Sequence, residues 1–182
     1  MIPGMEFVEL SKSVHDRSSF DCGEPELDRF IRFYAAKHMK AGISTTMLLP
    51  DSVPLPDGKY SVRAFYTIAP GSISRKTLPA ELAAKLPYYP VPVYLLAQMA
   101  VHKKYHNTGL GKITLIKALE HIWAVNAHMR AYAVTVYCLN RQAEQFYLKY
   151  GFEYLHKHDG RTGLFLPMNT LAQLFGHTGT EN

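Results

Sequence analysis

A nearly unbroken apolar run at 93–101 leads into His102-Lys-Lys-Tyr-His-Asn-Thr-Gly109-Leu-Gly111-Lys112 and then into an apolar-faced segment that reaches about residue 127. The run is too short for a buried helix of ordinary length, and Pro90-Val-Pro92 breaks the chain before it, so it reads as a central strand. The segment from 109 carries Ile113, Ile116, Leu119 and Trp123 on its packing side, as an amphipathic helix should. Residues 132–138 are β-branched and aromatic and form a second strand. A further helix from Asn140 ends at Gly151 and leads into another strand. Strand, helix, strand, helix, strand is the signature of an α/β layer with crossovers.

The first half of the chain modifies that reading. A first strand is expected at 6–10. Pro25 suits the opening turn of a helix in which Leu27, Phe30, Ile31 and Tyr34 share the buried face, Asp28, Arg29, Arg32 and Lys37 share the other, and Gly42 stops the run. Strands at 43–49 and 60–68, joined by a Pro- and Gly-rich connection, form an antiparallel pair. The expected fold is therefore α/β (α+β): a single domain with a mixed central sheet, antiparallel N-terminal strands and flanking helices. Its bounds are set at 1–176, with 177–182 as a loose tail.

Composition narrows the partners. The 182 residues, 47% of them apolar, are enough for one packed core. No stretch approaches the roughly eighteen consecutive apolar residues of a membrane span, and residues 1–6 lack the layout of a secretory signal, so a soluble cytoplasmic protein is expected. Cys22 and Cys138 have neither metal spacing nor a disulfide-rich context and read as buried, inert thiols. The net charge is +5, but between residues 82 and 143 the only acid is Glu120, against Lys85, Lys103, Lys104, Lys112, Lys117, Arg130 and Arg141. That stretch carries +6 and leaves the remainder at −1. Seven cations exceed what one phosphorylated cofactor needs, which suits a polyanionic second substrate or, more plainly, a solvated basic surface.

The loop at 102–112 supplies the chemistry. Gly109 and Gly111 admit an anion close to the backbone, and the helix beginning there offers free N–H groups and a positive dipole end. Such a loop suits a nucleotide-type cofactor. With Asn140-Arg-Gln-Ala-Glu-Gln-Phe-Tyr-Leu-Lys-Tyr-Gly-Phe152 downstream, it points to acyl transfer from a coenzyme A thioester. The histidines at 102, 106, 121 and 128 are spread over a strand end, a loop and a helix, and His121 and His128 are seven apart where a metal pair on one helix ordinarily uses i, i+4 with a third ligand, so no metal is expected.

With these two segments, the chain resembles the GCN5-related N-acetyltransferase (GNAT) superfamily over most of its length. Ser19-Phe-Asp-Cys-Gly-Glu-Pro-Glu-Leu-Asp-Arg-Phe-Ile31, Pro90-Val-Pro92 and Gln145-Phe-Tyr147 resemble the toxin branch of that superfamily. Those toxins are paired with ribbon-helix-helix antitoxins and acetylate the amino acid on charged tRNA. The superfamily's loop ordinarily opens with Gln or Arg, whereas His106-Asn-Thr-Gly109-Leu-Gly111 puts histidine first. Backbone amides still supply the anion contacts, and an imidazole there adds a pH-dependent one.

The resemblance implies roles for individual residues. Met99, Ala100 and Val101 would pair with the pantetheine arm. His106, Asn107, Thr108, Gly109, Leu110, Gly111 and Lys112 would hold the diphosphate, while Asn140 would bond the cofactor near the pantetheine and Phe146 would pack against it. Tyr147 would be the general acid for the departing thiolate. An ordinary phenol, near ~10, stays protonated at pH 7, and delivering its proton to a thiol of about 8.5 is uphill by only about 2 kcal/mol. An α-amine near ~8, lowered further by esterification of its carboxyl, needs little base, whereas a lysine near ~10.4 must be deprotonated. An acid-poor segment thus fits an aminoacyl ester on RNA, with Arg32, Lys37 and Arg141 as candidate phosphate contacts.

The implied protein is an acetyl-CoA-dependent toxin that blocks the α-amine of aminoacyl-tRNA. It would be a cytoplasmic homodimer that meets operator DNA through its antitoxin complex. A GNAT acting on a small amine or a protein N-terminus, or a non-enzymatic basic nucleic-acid-binding module, remains the alternative at this point.

Overall fold

The computed structural model describes residues 4–176, so the tail assigned to 177–182 lies outside the described residues. The chain divides into two compact units, Met1–Ala69 with Ala97–Ala118 and Pro70–Leu96 with Leu119–Asn182.

In the first unit, β1 (Val8–Glu9) pairs antiparallel with β3 (Thr45–Pro50), and β3 pairs antiparallel with the opening part of β4 (Tyr60–Ile73). A two-residue β2 (His15–Asp16) lies parallel to β4. The antiparallel N-terminal strands are thus as expected. Their core gathers Phe20, Phe30, Ile31, Ala35, Leu48 and Phe65, all but Phe30 fully buried.

The helical segment at 25–40 departs from the expected face. It comprises α1 (Pro25–Arg29), one π turn (Phe30–Tyr34) and α2 (Ala35–Lys40). The Ala35 N–H bonds the Phe30 carbonyl five residues back, and this extra residue per turn rotates the stripe that follows. Ala35 therefore takes the buried position, while Tyr34, expected on the packing face, is 46% exposed. Asp28, expected among the solvent-facing charges, is buried and accepts the Cys22 N–H at 2.8 Å. A buried carboxylate needs such a donor, and here it anchors the loop that precedes the helix.

In the second unit, β5 (Val91–Val101) pairs parallel with β6 (Ala133–Cys138) through Val93, Tyr94 and Leu95. β6 pairs antiparallel with β8 (Arg161–Pro167), and β8 pairs antiparallel with β7 (Glu153–His158). Parallel and antiparallel ladders together make the sheet mixed. The β7–β8 turn has Asp159 at φ +49° and Gly160 at φ +75°, the paired positive values that a two-residue hairpin with native twist requires. α3 (Ala80–Ala83) is short, α5 covers Arg141–Lys149 and α6 covers Met168–Phe175.

The long helix α4 (Leu110–Asn126) matches the expected span but buries Leu115, Ala118, Leu119 and Ile122. Ile116, expected on that side, is 36% exposed, and Thr114 is buried instead, with its hydroxyl donating to the Leu110 carbonyl at 2.7 Å. Among the described residues no helix is long and apolar enough to cross a membrane.

Candidate active site

The candidate residues fall into two groups, one in each unit. In the first unit, Met99, Ala100 and Val101 form the end of β5, past the last residues that pair with β6. The chain then turns sharply. The His102 N–H bonds the Arg63 carbonyl at 2.8 Å, and the His102 ring accepts the Lys104 N–H at 3.1 Å, capping a 3₁₀ turn at Lys103–Tyr105. His106 follows, exposed, with its Nε2 bonded to the Val101 carbonyl at 2.8 Å. A carbonyl only accepts, so Nε2 carries the proton. The imidazole thereby ties the loop to the end of the strand.

Asn107 and Gly109 adopt φ +59° and +85°, and Thr108 donates its hydroxyl to the Tyr105 carbonyl at 2.5 Å. Nothing lies within 4 Å of a Cβ placed on Gly109, so glycine is needed there for backbone conformation and not for space. The Ile113 N–H reaches the Gly109 carbonyl at 3.2 Å. The N–H groups of Leu110, Gly111 and Lys112 come before the helical ladder and have no partner within it. Three amides at the positive end of a seventeen-residue helix, next to an exposed glycine, make an anion seat.

The cations of this unit are unequal. Lys103 is paired with Asp21 at 2.5 Å, and that ion pair holds the exposed Asp21 carboxyl below its usual range, so one of the seven cations is already matched by an acid from the 19–31 segment. Arg32 is half-buried and donates to the Phe20 carbonyl, and its own carbonyl accepts from Arg17 at 3.1 Å. Its hydrogen bonds thus hold the Phe20 loop. Lys37 is exposed.

In the second unit, Asn140 sits in extended conformation and caps α5, its side-chain oxygen accepting the Ala143 N–H at 2.9 Å. Arg141 is exposed at the first helical position. Asn140→Ala removes the cap and should lower unfolding free energy by about 1 kcal/mol, with Asn140→Ser retaining most of it, as denaturant titration would show.

Tyr147 is buried, packed edge-on against Phe146 and Phe152 with ring centroids 5.3 Å away in each case. Burial, reinforced by the neighbouring Cys138, pushes the phenol well above its usual value, so it holds its proton throughout the physiological range. The Cys138 thiol is itself pushed up to about 11 by burial, then by Glu144, and Cys22 to about 12 by burial; both are free, buried and unreactive. Asp28 had no clear sequence signal, because an acid in a first helical turn is ordinarily read as serving the helix dipole.

Residues 77–154 match the acetyltransferase (GNAT) domain family. A "tRNA-acetylating toxin" of Mycobacterium tuberculosis is 33% identical over 139 residues, covering 76% of this chain and 78% of the relative. The fold is that of AtaT in complex with acetyl-methionyl-tRNAfMet, with a TM-score of 0.82 at 24% identity over 93% of this chain and 98% of that one. A variant of the AtaT toxin bound to the C-terminus of the antitoxin AtaR and acetyl-CoA superposes with a TM-score of 0.76 at 19% identity, over 93% and 97% of the two chains.

Proposed function

This chain belongs to the GNAT acetyltransferase family, on its toxin branch, and on that premise we propose that it moves acetyl from acetyl-CoA to the α-amino group of aminoacyl-tRNA and so halts translation. The relative's printed activity and the AtaT complex with acetylated methionyl-tRNA support this substrate. The observation within the chain that carries the reading is Tyr147, a buried phenol kept protonated.

Each group then has a task. Acetyl-CoA brings the activated acyl group. Met99, Ala100 and Val101, beyond the end of the β5–β6 ladder, offer main-chain groups for the pantetheine arm. The amides of Leu110, Gly111 and Lys112, with the exposed His106, Asn107, Thr108 and Gly109 before them, receive the diphosphate. Asn140 and Phe146 line the cofactor from α5. Positioning of this kind supplies up to about 7–11 kcal/mol of the barrier.

The neutral α-amine attacks the thioester carbonyl, the C–S bond breaks, the Tyr147 hydroxyl hands its proton to the departing sulfur, and the proton shed by the acylated nitrogen returns through solvent to restore the phenol. Burial makes the phenol a weaker acid than usual, so the proton moves only as negative charge develops on sulfur and does not leave beforehand. Acetylation removes the nucleophile that peptide-bond formation requires.

Lys37 and Arg141 are exposed and available to RNA phosphate, and Arg32 serves mainly to hold the Phe20 loop. The protein acts in the cytoplasm as a homodimer. An antitoxin of ribbon-helix-helix type covers its basic surface and carries the pair to operator DNA.

The test is incubation of aminoacylated tRNA with radiolabelled acetyl-CoA and this protein, beside a panel of small amines and peptide N-termini. Label is expected on the aminoacyl group. Unlabelled tRNA with an active preparation would overturn the proposal. Binding to tRNA should also fall steeply between low and physiological salt, because displaced counterions drive it. A flat salt response would argue against phosphate contacts.

A further inference from the structure

We infer that Tyr88 and Tyr89, on the proline-bounded turn after α3, form a stacking subsite for unpaired nucleotides of the RNA substrate, an assignment that rests on the aminoacyl-tRNA reading. Neither ring belongs to the core: Tyr88 is 91% exposed and Tyr89 66%. Tyr88 is the most exposed large hydrophobic side chain among the described residues, and with Tyr89 beside it the pair presents two aromatic faces to water.

The turn is built to hold them still. Pro87 and Pro90 bracket the pair and fix the backbone on either side. Arg75 donates to the carbonyls of Ala83 at 2.9 Å and Leu86 at 2.8 Å, and its Cζ lies 3.8 Å from the Tyr88 ring centroid. Two carbonyls thus aim the guanidinium, which in turn holds the ring by a cation–π contact. A platform ordered before binding loses little freedom when a ligand arrives.

A cavity of about 250 Å³ lies beside Tyr89, lined also by Pro90, Pro92, Arg130 and Tyr132. It falls below the roughly 300–1,000 Å³ of sites that enclose a whole small molecule, so it suits one flat group of a larger ligand. The charge around it selects the ligand. Arg130 lines it, the adjoining segment 75–89 carries Arg75, Lys76 and Lys85 against Glu81, and the charge of Glu153 reaches the lining Tyr132. Aromatic faces for bases with lysine and arginine for phosphates are what single-stranded RNA requires, and duplex RNA offers no exposed base face to such a platform.

The test compares the unaltered protein with the double variant Tyr88→Ala/Tyr89→Ala, whose changes lie at the surface, and with Tyr88→Phe/Tyr89→Phe, which keeps the rings. Dissociation constants are measured for bulk aminoacylated tRNA and for a blunt acceptor-stem duplex without unpaired nucleotides. The alanine pair is expected to weaken tRNA binding about tenfold, leave the duplex unchanged and leave the melting temperature in place, while the phenylalanine pair binds as the parent does. Unchanged tRNA affinity, or equal losses on both RNAs, overturns the subsite. An alanine pair that loses only an antitoxin C-terminal peptide also overturns it and assigns the platform to protein. Acetylation of tRNA by the unaltered protein separates these outcomes from failure of the functional reading, since that activity is measured without either variant.

Discussion

Tyr147→Phe is expected to yield a folded protein that transfers acetyl about 10²–10⁴-fold more slowly, the usual contribution of a positioned acid. The change deletes one oxygen. The ring keeps its edge-on contacts with Phe146 and Phe152, so stability should hold. Acetyl-CoA affinity, read by calorimetry, should stay near that of the parent, because the loss falls on the step in which sulfur departs. Since burial holds the phenol neutral, the parent's rate should not decline on the alkaline side through loss of this proton at any pH where an aminoacyl ester survives. Turnover by the phenylalanine variant equal to the parent's would remove Tyr147 from the chemistry and leave it as packing.

Phe65→Ala is expected to be the most damaging single change to stability, at about 3–5 kcal/mol. Phe65 is fully buried on β4, edge-on to Phe20 at 5.3 Å and stacked on Phe30 at 6.3 Å. These rings join the loop before α1, the π turn and the sheet into one core, and neither neighbour can collapse into the space without releasing the other. For a chain of this size the melting temperature should drop by roughly 6–20 °C. Phe33→Ala, on the same π turn but 59% exposed, serves as the control and should move it little. Equal effects at the two positions would mean that the cluster does not carry the stability assigned to it.

Much of this could be read from residue order because it depends on local chemistry. The helix at 110–126 was legible from its apolar period and its glycine start, and the Ala133–Cys138 strand from its β-branched content. The turn before that helix was legible because a left-handed residue ahead of a helix N-terminus asks for glycine, and position 109 has it. Asn140, expected only as a cofactor contact, caps α5 by accepting the amide three residues on.

Other features could not be read locally. β4 continues through Pro70 and Gly71 to Ile73, although those residues signal a break, because the place of a Gly71 Cβ lies 3.5 Å from Val93 and the neighbouring strand holds the segment extended. The π turn at Phe30–Tyr34 exchanged Tyr34 for Ala35 on the buried face, since packing of Phe30 and Ile31 outweighs regular helical period.

Residue order alone was sufficient for the fold class, since periodicity and side-chain type express it within a few neighbours, whereas Tyr147 was singled out by resemblance to the toxin branch. Packing between distant segments decided the rest. It turned Asp28 inward to hold Cys22, matched Lys103 to Asp21, gave Arg32 to the Phe20 carbonyl and removed Tyr147 from water. Each of these depends on which groups face one another after the chain closes, and desolvation, which sets the cost of leaving them unpaired, exists only in the closed chain.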